Sequence, residues 1–535
     1  MGSQTNNNNS DGTSNPPPSS PPPPPPLQLP DATSETLVLT RATDEEKSRT
    51  WTFNYREWGG ALSLDQYLLR EPYVATIPLA RDGGMTHWVL TTKPKSSAEG
   101  EEGEEKEGDI TSSTTSTTTR PVLASCESIR KRVLVARPPL LGGGDDHDDE
   151  GDVPVDVRDA VAYGIGSVYT YPEFRGRSYA KRMLKELGTT LKTWPVLQPE
   201  RKANGGDGKP EEHEHAVCTA LWSDIGKVFY AKKGWHPFPS VHVTFPAAAA
   251  AAAAAVTTNN VSTSTSTSSK SNKTPLEPIT YANLASFTAH DEALLRQRLA
   301  RTAARTRKTA FAFAPDHDAL RWHLYRDAFV ASFVHTSNNG NENNKGGTPV
   351  PPQPPSSASS SLSEQKEKGE GEGEVAGEMK RKGVVAEVVA IAADGQGQQR
   401  RRRRIWAIWA RNYQAGLEDP ARNTLYILRL VVEGADEDAG QQEEEGEEEE
   451  EEALKEALAS VLDAARAEAA RWGCARVDLW NPTPLVRRLL ARIGDGALPR
   501  QWVDRDTDSI PSLMWYGGDG DQEVEWVANE KYCWC

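Results

Sequence analysis

The chain has 535 residues, of which 37% are hydrophobic, and a formal charge of −16. An ordinary globular chain is about 45–50% apolar on a slightly different residue set, so two compact domains separated by unfolded inserts fit this composition better than one large fold. The charge is local: 13 acids and no Lys or Arg lie between Glu433 and Glu452, and removing them from −16 leaves −3, which argues against a protein held on nucleic acid by overall charge.

In chain order, residues 1–36 are rich in Asn and Pro, cannot bury a core and are expected to be a disordered, polyproline-like tail. Leu37 to Arg41 opens the first strand, Asp44 is placed to cap a helix, and Leu64 to Tyr73 reads as a second helix. Strands at Trp88 to Leu90 and Val122 to Val135 flank a Glu/Ser/Thr insert, Ser96 to Thr119. A Gly/Asp insert at Gly142 to Asp152 precedes a strand at Ala160 to Thr170, followed by a helix at Tyr179 to Trp194 and a charged insert at Pro199 to Glu214. Strand Ala216 to Trp222, helix Ile225 to Lys233 and strand Val241 to Phe245 complete the first unit, residues 37–245. An Ala/Ser/Thr linker follows at 246–275.

The second unit, residues 276–535, opens with helices at Tyr281 to Thr306 and Asp316 to Phe333. Disordered inserts are expected near 337–382 and 433–452. Val384 to Ile391 pairs with Ile405 to Ala410, and Leu425 to Val432 forms a central strand. A helix from Ala453 to Trp472 stops at Gly473, strand Arg476 to Trp480 follows, and a short helix from Leu485 stops at Gly494. Strand, long helix, strand, short helix, Gly thus appears at 160–234 and again at 424–494, the mark of a degenerate internal duplication. The expected class is α+β with α/β character: a mixed central sheet flanked by helices, followed by a second, related domain.

Two segments carry chemistry. Tyr171-Pro-Glu-Phe-Arg-Gly-Arg-Ser-Tyr-Ala180 is a strand-to-helix turn. A helix N-terminus offers unpaired N–H groups and the positive end of its dipole, so it attracts phosphate. Gly176 lets the backbone approach closely, Ala180 keeps the next turn slim, and Arg175 and Arg177 add charge at the rim. In the second copy the glutamate run stands where this turn stands in the first, so a diphosphate there would face like charge. The other segment, Leu221-Trp-Ser-Asp-Ile-Gly-Lys-Val-Phe-Tyr-Ala-Lys-Lys-Gly-Trp235, is a strand end, a helix and a glycine stop.

Together the two segments resemble the acetyl-CoA-binding motifs of GNAT N-acyltransferases. The family pattern Gln/Arg-x-x-Gly-x-Gly/Ala is met at its ends by Arg175 and Ala180, while Ser178 replaces the central glycine. Phe229-Tyr-Ala-Lys-Lys-Gly-Trp235 is similar to the family's Phe-Tyr-x-x-x-Gly-Phe helix end. The resemblance implies a GNAT fold with acetyl-CoA as co-substrate and no metal. It implies a cofactor cradle from Arg175, Gly176, Arg177, Ser178, Tyr179 and Ala180, with backbone pairing from Tyr169 and Thr170. Ser223 stands where many relatives carry an Asn that touches the cofactor. Tyr230 is implied as the general acid that protonates the leaving thiolate; the same residue also suits packing of the helix on the sheet.

Direct attack by a lysine-type amine needs the unprotonated form, which at pH 7 is roughly one molecule in 2,500, a deficit of about 4.6 kcal/mol. A carboxylate base relieves it. Glu173 and Asp224 stand at the two motif ends as candidates, Glu173 equally suiting a solvated turn and Asp224 a helix cap.

Trp222-Ser-Asp-Ile-Gly226, Gly234-Trp-His-Pro-Phe-Pro239, Asp508 to Tyr516 and Glu525 to Lys531 resemble the fungal lysine N-acetyltransferase family and its C-terminal domain. That resemblance implies acetylation of the side-chain amine of free L-lysine, in lysine degradation. Protein lysines or another small amine stay open as acceptors, and a non-catalytic GNAT-like binding module is the alternative of another class. Other features have plainer readings. Arg400 to Arg404 suits a solvated loop better than an RNA-binding run, Trp406 and Trp409 a core and a surface position, and His213-Glu-His215 a charged insert rather than a metal site. The five scattered cysteines, Cys533-Trp-Cys535 included, suit free thiols in a reducing compartment. The start lacks an apolar signal core, and the longest apolar run, Ala247 to Val256, is far short of the ~20 residues of a span. A cytoplasmic protein with no membrane or nucleic-acid partner is expected.

Overall fold

The computed structural model describes residues 29–93, 120–138, 155–194, 215–249, 274–336, 381–394, 397–434, 447–517 and 523–535. The inserts expected at 96–119, 142–152 and 199–214 (with His213), most of the linker and of the Pro-rich tail, and nearly all of 337–382 lie outside the described residues.

The first half runs β1 (Leu37–Arg41), α1 (Asp44–Trp58), α2 (Leu64–Val74), β2 (Met85–Thr92), β3 (Ala124–Ala136), β4 (Val157–Tyr169), α3 (Tyr179–Thr193), β5 (Cys218–Ser223), α4 (Val228–Ala231), β6 (His236–Pro237) and β7 (Val241–Pro246). The second runs β8 (Leu276–Ile279), α5 (Tyr281–Thr306), β9 (Thr309–Phe313), α6 (His317–Thr336), β10 (Gly383–Asp394), β11 (Gly397–Asn412), β12 (Thr424–Val432), α7 (Glu447–Arg471), β13 (Arg476–Trp480), α8 (Pro484–Ile493), β14 (Gln501–Asp504), β15 (Ile510–Trp515) and β16 (Val524–Trp526).

Local sequence sets several boundaries. Thr43, rather than Asp44, caps α1: its hydroxyl accepts from the Glu46 N–H at 3.2 Å and the Glu46 carboxylate accepts from the Thr43 N–H at 2.9 Å. Ser63 and Gln66 repeat that reciprocal box at α2. Met183, Leu184, Leu187 and Leu191 form the buried stripe of α3. Residues 29–36 are not all tail. Ala32 is buried, the Tyr179 hydroxyl donates to the Pro30 carbonyl at 2.6 Å, and Arg182 donates to that of Ala32 at 3.0 Å, because α3 offers polar groups that fix this segment.

Two mixed sheets result. The first has the order β1-β2-β3-β4-β5-β15-β6, with β9 joined to the distal part of β3 and β16 joined to β9. The second has the order β14-β7-β13-β12-β11-β10-β8. In each, an antiparallel pair leads into a parallel pair bridged by a helix: β3/β4 then β4/β5 around α3, and β11/β12 then β12/β13 around α7. The internal repeat is therefore structural.

The halves exchange strands. β7, from the first half, pairs antiparallel with β13, and β15, from the second, pairs antiparallel with β5 over six registered positions. The boundary expected at 245 thus cuts through the second sheet. The reason is geometric: after α4 and β6 the chain is already committed across the junction, and each half's outer strand completes the other's sheet. One core packs α3 and α4 on the first sheet, another packs α7 and α8 on the second, and a third lies between the sheets, with Val133, Cys218 and Trp222 facing Trp406, Ile408 and Trp480.

This layering corrects three expectations. Trp406 and Trp409 are both buried, one in each of two cores, because the second sheet is covered on both faces. Arg400 to Arg404 is strand rather than loop, and Arg403 pairs with Glu450 while Arg404 pairs with Glu433 at 2.9 Å. Glu447 to Glu452 form the first turns of α7, where acid complements the helix dipole.

Candidate active site

β4 and β5 run side by side only as far as Ile165 and Leu221. Beyond that pair both strands continue but diverge. β4 carries one residue more than β3 between the pairs Gly166–Glu127 and Tyr169–Ser125, and Ser167 sits at φ 51°. This bulge bends β4 away from β5 and opens a wedge in the sheet. Main-chain groups facing a wedge lack strand partners and can pair with an extended ligand.

At the wide end stands the 172–178 turn. Gly176 adopts φ 77°, and open space lies where a Cβ would be; Ser178 adopts the left-handed φ 66° and makes no side-chain cap. The Phe174 and Arg175 N–H groups close the 3₁₀ turn on the Tyr171 and Pro172 carbonyls, and the next N–H used within the protein is that of Arg182, donated to the Ser178 carbonyl at 3.0 Å. The N–H groups of residues 176–181 find no acceptor among the described residues. Such a set of orphan donors at a helix start suits a diphosphate. Arg175 donates to the Thr170 carbonyl at 3.0 Å, its guanidinium 5.4 Å from the Tyr169 ring, and so braces the turn. Arg177 is exposed, and Ala180 is the small residue at the helix start.

A cavity of about 1050 Å³ leads inward from this turn. Tyr169, Thr170, Arg175, Gly176, Ser178, Tyr179, Ala180, Asp224 and Tyr230 all border it, so most of the residues expected at the site are brought together. Tyr230 is 8% exposed and its hydroxyl has no partner among the described residues. Burial, then the Asp224 charge, raises its pKa well above the usual phenol value, which keeps it protonated.

Three expected roles change. Ser223 closes the β5–α4 turn, donating to the Gly226 carbonyl at 2.7 Å and accepting from the Ile225 N–H, so its hydroxyl is spent and it does not border the cavity. Asp224 does not cap the helix, which starts at Val228; its carboxylate instead accepts from the N–H and hydroxyl of Ser509 at 2.9 and 3.2 Å. Glu173 lies exposed on the 3₁₀ turn Pro172–Phe174 and does not border the cavity.

The carboxylate at the wedge is Glu127. It accepts from the Ser167 hydroxyl at 2.9 Å and sits 3.2 Å from His87 Nδ1. Burial pushes its pKa up, but the His87 and Ser167 hydrogen bonds outweigh this and leave it below the ordinary glutamate range. Successive strand residues face opposite sides, so Glu127 faces away from Cys126, whose core also holds Tyr230. Acid and carboxylate therefore approach the wedge from the two faces of the sheet. The available signal was parity: Glu127 shares its face with Ile129, Lys131 and Val133, so its carboxylate stands on the side opposite Cys126.

The inner end is built by segments far away in sequence. Trp322, Arg326 and Val330, four residues apart on α6, border the cavity, as do Lys531, Trp534 and Cys535. The Lys131 amine holds the last of these segments by donating to the Cys533 and Trp534 carbonyls at 2.9 and 3.0 Å. Gly164 leaves room for this segment, since a Cβ would lie 2.1 Å from Cys535 Sγ and force that side chain to shift.

The family model for the LYC1 GNAT-like C-terminal domain matches residues 260–535. A lysine acetyltransferase of Yarrowia lipolytica (strain CLIB 122 / E 150) is 27% identical over 192 residues, 36% of this chain; the match spans 38% of that protein's length. Among solved structures, a probable N-acyltransferase from Enterococcus faecalis V583 aligns over 89% of this chain and 72% of its own, with 10% identity and a TM-score of 0.36. N-myristoyltransferase from Saccharomyces cerevisiae, solved with bound myristoyl-CoA, aligns over 93% and 82%, with 7% identity and a TM-score of 0.38. With its two related α+β halves and a family match that takes in more than half of its residues, the chain belongs to the family of proteins with the LYC1 GNAT-like C-terminal domain.

Proposed function

We propose that the protein is an acetyl-CoA-dependent N-acetyltransferase whose acceptor is a small amine, free L-lysine foremost. The observation that carries this reading is the wedge between β4 and β5, with orphan N–H groups of residues 176–181 at its mouth and the Tyr230 phenol and Glu127 carboxylate at its sides. The donor set fits an acyl-CoA: amides for the diphosphate, unpaired strand edges for the amide-rich arm, and a protonated phenol for a thiolate. The name of the Yarrowia relative favours lysine as acceptor.

Bound there, acetyl-CoA would supply an acetyl group on a good leaving thiolate. The chain's own groups do the rest. The amides of residues 176–181 and the nearby Lys181 hold the diphosphate, while the divergent backbone of Tyr169 and Thr170 orients the arm. Glu127 takes one proton from the incoming ammonium before the free amine attacks the thioester carbonyl. Tyr230 gives its proton to the departing sulfur, for which burial has kept it neutral. The second proton, shed by the nitrogen as the C–S bond breaks, returns the Tyr230 phenolate to the phenol.

The test is mass spectrometry of L-lysine and acetyl-CoA incubated with wild type and with Tyr230→Phe. Expected are acetylated lysine with wild type and a kcat lower by about 10²–10⁴-fold in the variant, with CoA affinity retained by calorimetry. A wild-type protein that neither binds CoA nor acetylates any amine refutes the reading.

A further inference from the structure

The inner end of the cavity holds a cation without a counterion. Arg326 projects from α6 with its guanidinium 5.1 Å from the Trp322 ring centre, borders the cavity, and makes no hydrogen bond or ion pair with any described residue. Its neighbours on the same helix face are otherwise committed: Asp327 is held by Arg411 at 2.9–3.2 Å, and His323 Nε2 lies 3.1 Å from the Tyr532 carbonyl.

Several other charged side chains at this end have partners. Glu71 Oε1 takes two bonds from Arg70, at 2.9 and 2.6 Å, and no described residue donates to its Oε2. Glu127 is held by Ser167 and His87, and the Lys131 amine is spent on main-chain carbonyls. Lys531 lies among the rings of Tyr426, Trp480 and Trp534, 3.4–4.2 Å from their centres. A guanidinium removed from bulk water is retained at a cost unless something pairs with it. Burial, then the nearby Arg70 charge, oppose the Arg326 charge and outweigh the support it draws from Glu71, Glu127 and Cys535, so a further anion placed against the guanidinium is favoured.

Position says which anion. Arg326 feels Glu71, Glu127 and Cys535, and of these Glu127 stands opposite Gly166 and Cys535 against Gly164, at the middle of β4. The diphosphate cradle lies beyond Thr170, five residues on from Ile165 or roughly 16 Å of strand. A phosphate of the cofactor belongs at the cradle, and what reaches Arg326 is the far end of the acceptor.

We propose that Arg326 is the recognition site for the carboxylate of an α-amino acid acceptor, with the free oxygen of Glu71 receiving its α-ammonium. The planar guanidinium suits a bidentate carboxylate. The substrate is then held by the end that does not react, and its side-chain amine is presented to Glu127 at the wedge. Plain polyamines and lysines inside a polypeptide lack that free carboxylate and lose the contact. This deepens the N-acetyltransferase reading and rests on it for the direction in which the acceptor lies.

The experiment compares L-lysine with L-lysinamide, which keeps both amines and loses only the carboxylate, using the full chain saturated with CoA. Calorimetry gives the dissociation constant of each, and initial rates give KM and kcat, for wild type, Arg326→Gln and Arg326→Lys. Wild type is expected to favour lysine by about 10–100-fold, the worth of a charge-assisted hydrogen-bonded pair. That ratio should collapse towards one in Arg326→Gln and partly return in Arg326→Lys, the loss appearing in KM and Kd rather than kcat. CoA affinity, measured on the same samples, reports that each variant is folded. Equal binding of lysine and lysinamide by wild type overturns the proposal, as does an undiminished ratio in a CoA-binding Arg326→Gln. If lysine binds through Arg326 but no acyl transfer occurs, the carboxylate site stands and the catalytic reading falls.

Discussion

Replacing Glu127 by Gln removes a charge at the wedge and little else. The amide is nearly isosteric, and one oxygen still accepts from Ser167, the contact observed at 2.9 Å. The pairing with His87 is weakened, a cost of about 1 kcal/mol in stability. The consequence for rate is larger. A side-chain ammonium with a pKa near 10.4 is about 4.6 kcal/mol short of its reactive form at pH 7. General-base assistance is worth about 10²–10⁴-fold, or roughly 2.7–5.5 kcal/mol, and a carboxylate held below the ordinary range is a weak base that belongs at the lower end, offsetting part of that deficit. The expected result is a fall of that size in kcat at pH 7. The variant's rate should then climb about tenfold per pH unit up to pH 9, because only amine already free can react. In wild type the carboxylate, held below the ordinary glutamate range, stays ionised down to acid pH, so its contribution disappears only as pH falls through that lowered value. Continuous detection of released CoA thiol between pH 6 and 10 reads both profiles. Glu173→Gln and Asp224→Asn should stay within a few-fold of wild type. A Glu127→Gln protein within threefold of wild type at pH 7, with an unchanged profile, refutes the assignment.

Ser178→Gly should stabilise the protein by up to about 1 kcal/mol in chemical denaturation, since Ser178 holds φ 66° without a capping bond and glycine meets that conformation at no steric cost; destabilisation would contradict this. Lys382 is 3% exposed, and burial depresses its pKa from 10.5 to about 8. The unfolded chain then binds more protons between those values, so wild-type stability should rise from pH 8 to 10.5, by roughly 3 kcal/mol. Lys382→Met should gain a similar amount at pH 7 and lose that slope, as read by denaturant midpoints across pH. Cutting the chain after Pro246 should yield an insoluble or unfolded fragment, because it strips β15 from β5 and leaves β7 without its sheet. Co-expression with residues 247–535 should restore solubility and CoA binding; a soluble, CoA-binding fragment on its own would contradict the exchange.

Much of the site was legible because local chemistry requires it. A small-residue turn before an amphipathic stretch announces orphan amides, and Phe229-Tyr230 followed by Gly234 announces a short helix carrying a phenol. Each motif is local, and what brings the two together is the parallel pairing of β4 with β5. Alternation and helical period likewise placed most strands and helices of both copies, and the two copies are the two sheets. Some positions were misjudged for local reasons: Ser223 by its turn hydrogen bonds, Asp224 by its contact with Ser509, and Asp44 by a better cap one residue earlier.

What sequence determined here is everything set within a few residues: element type, the small-residue turn with its unpaired amides, and the short helix that carries the phenol. What only the tertiary structure decided is partnership at long range. β15 beside β5, Arg326 and Lys531 at the inner end, and Glu127 facing Tyr230 across the wedge join positions up to hundreds of residues apart. Contacts between distant segments are fixed by how sheets pack and which edge each strand completes, and no periodicity within either segment records that choice.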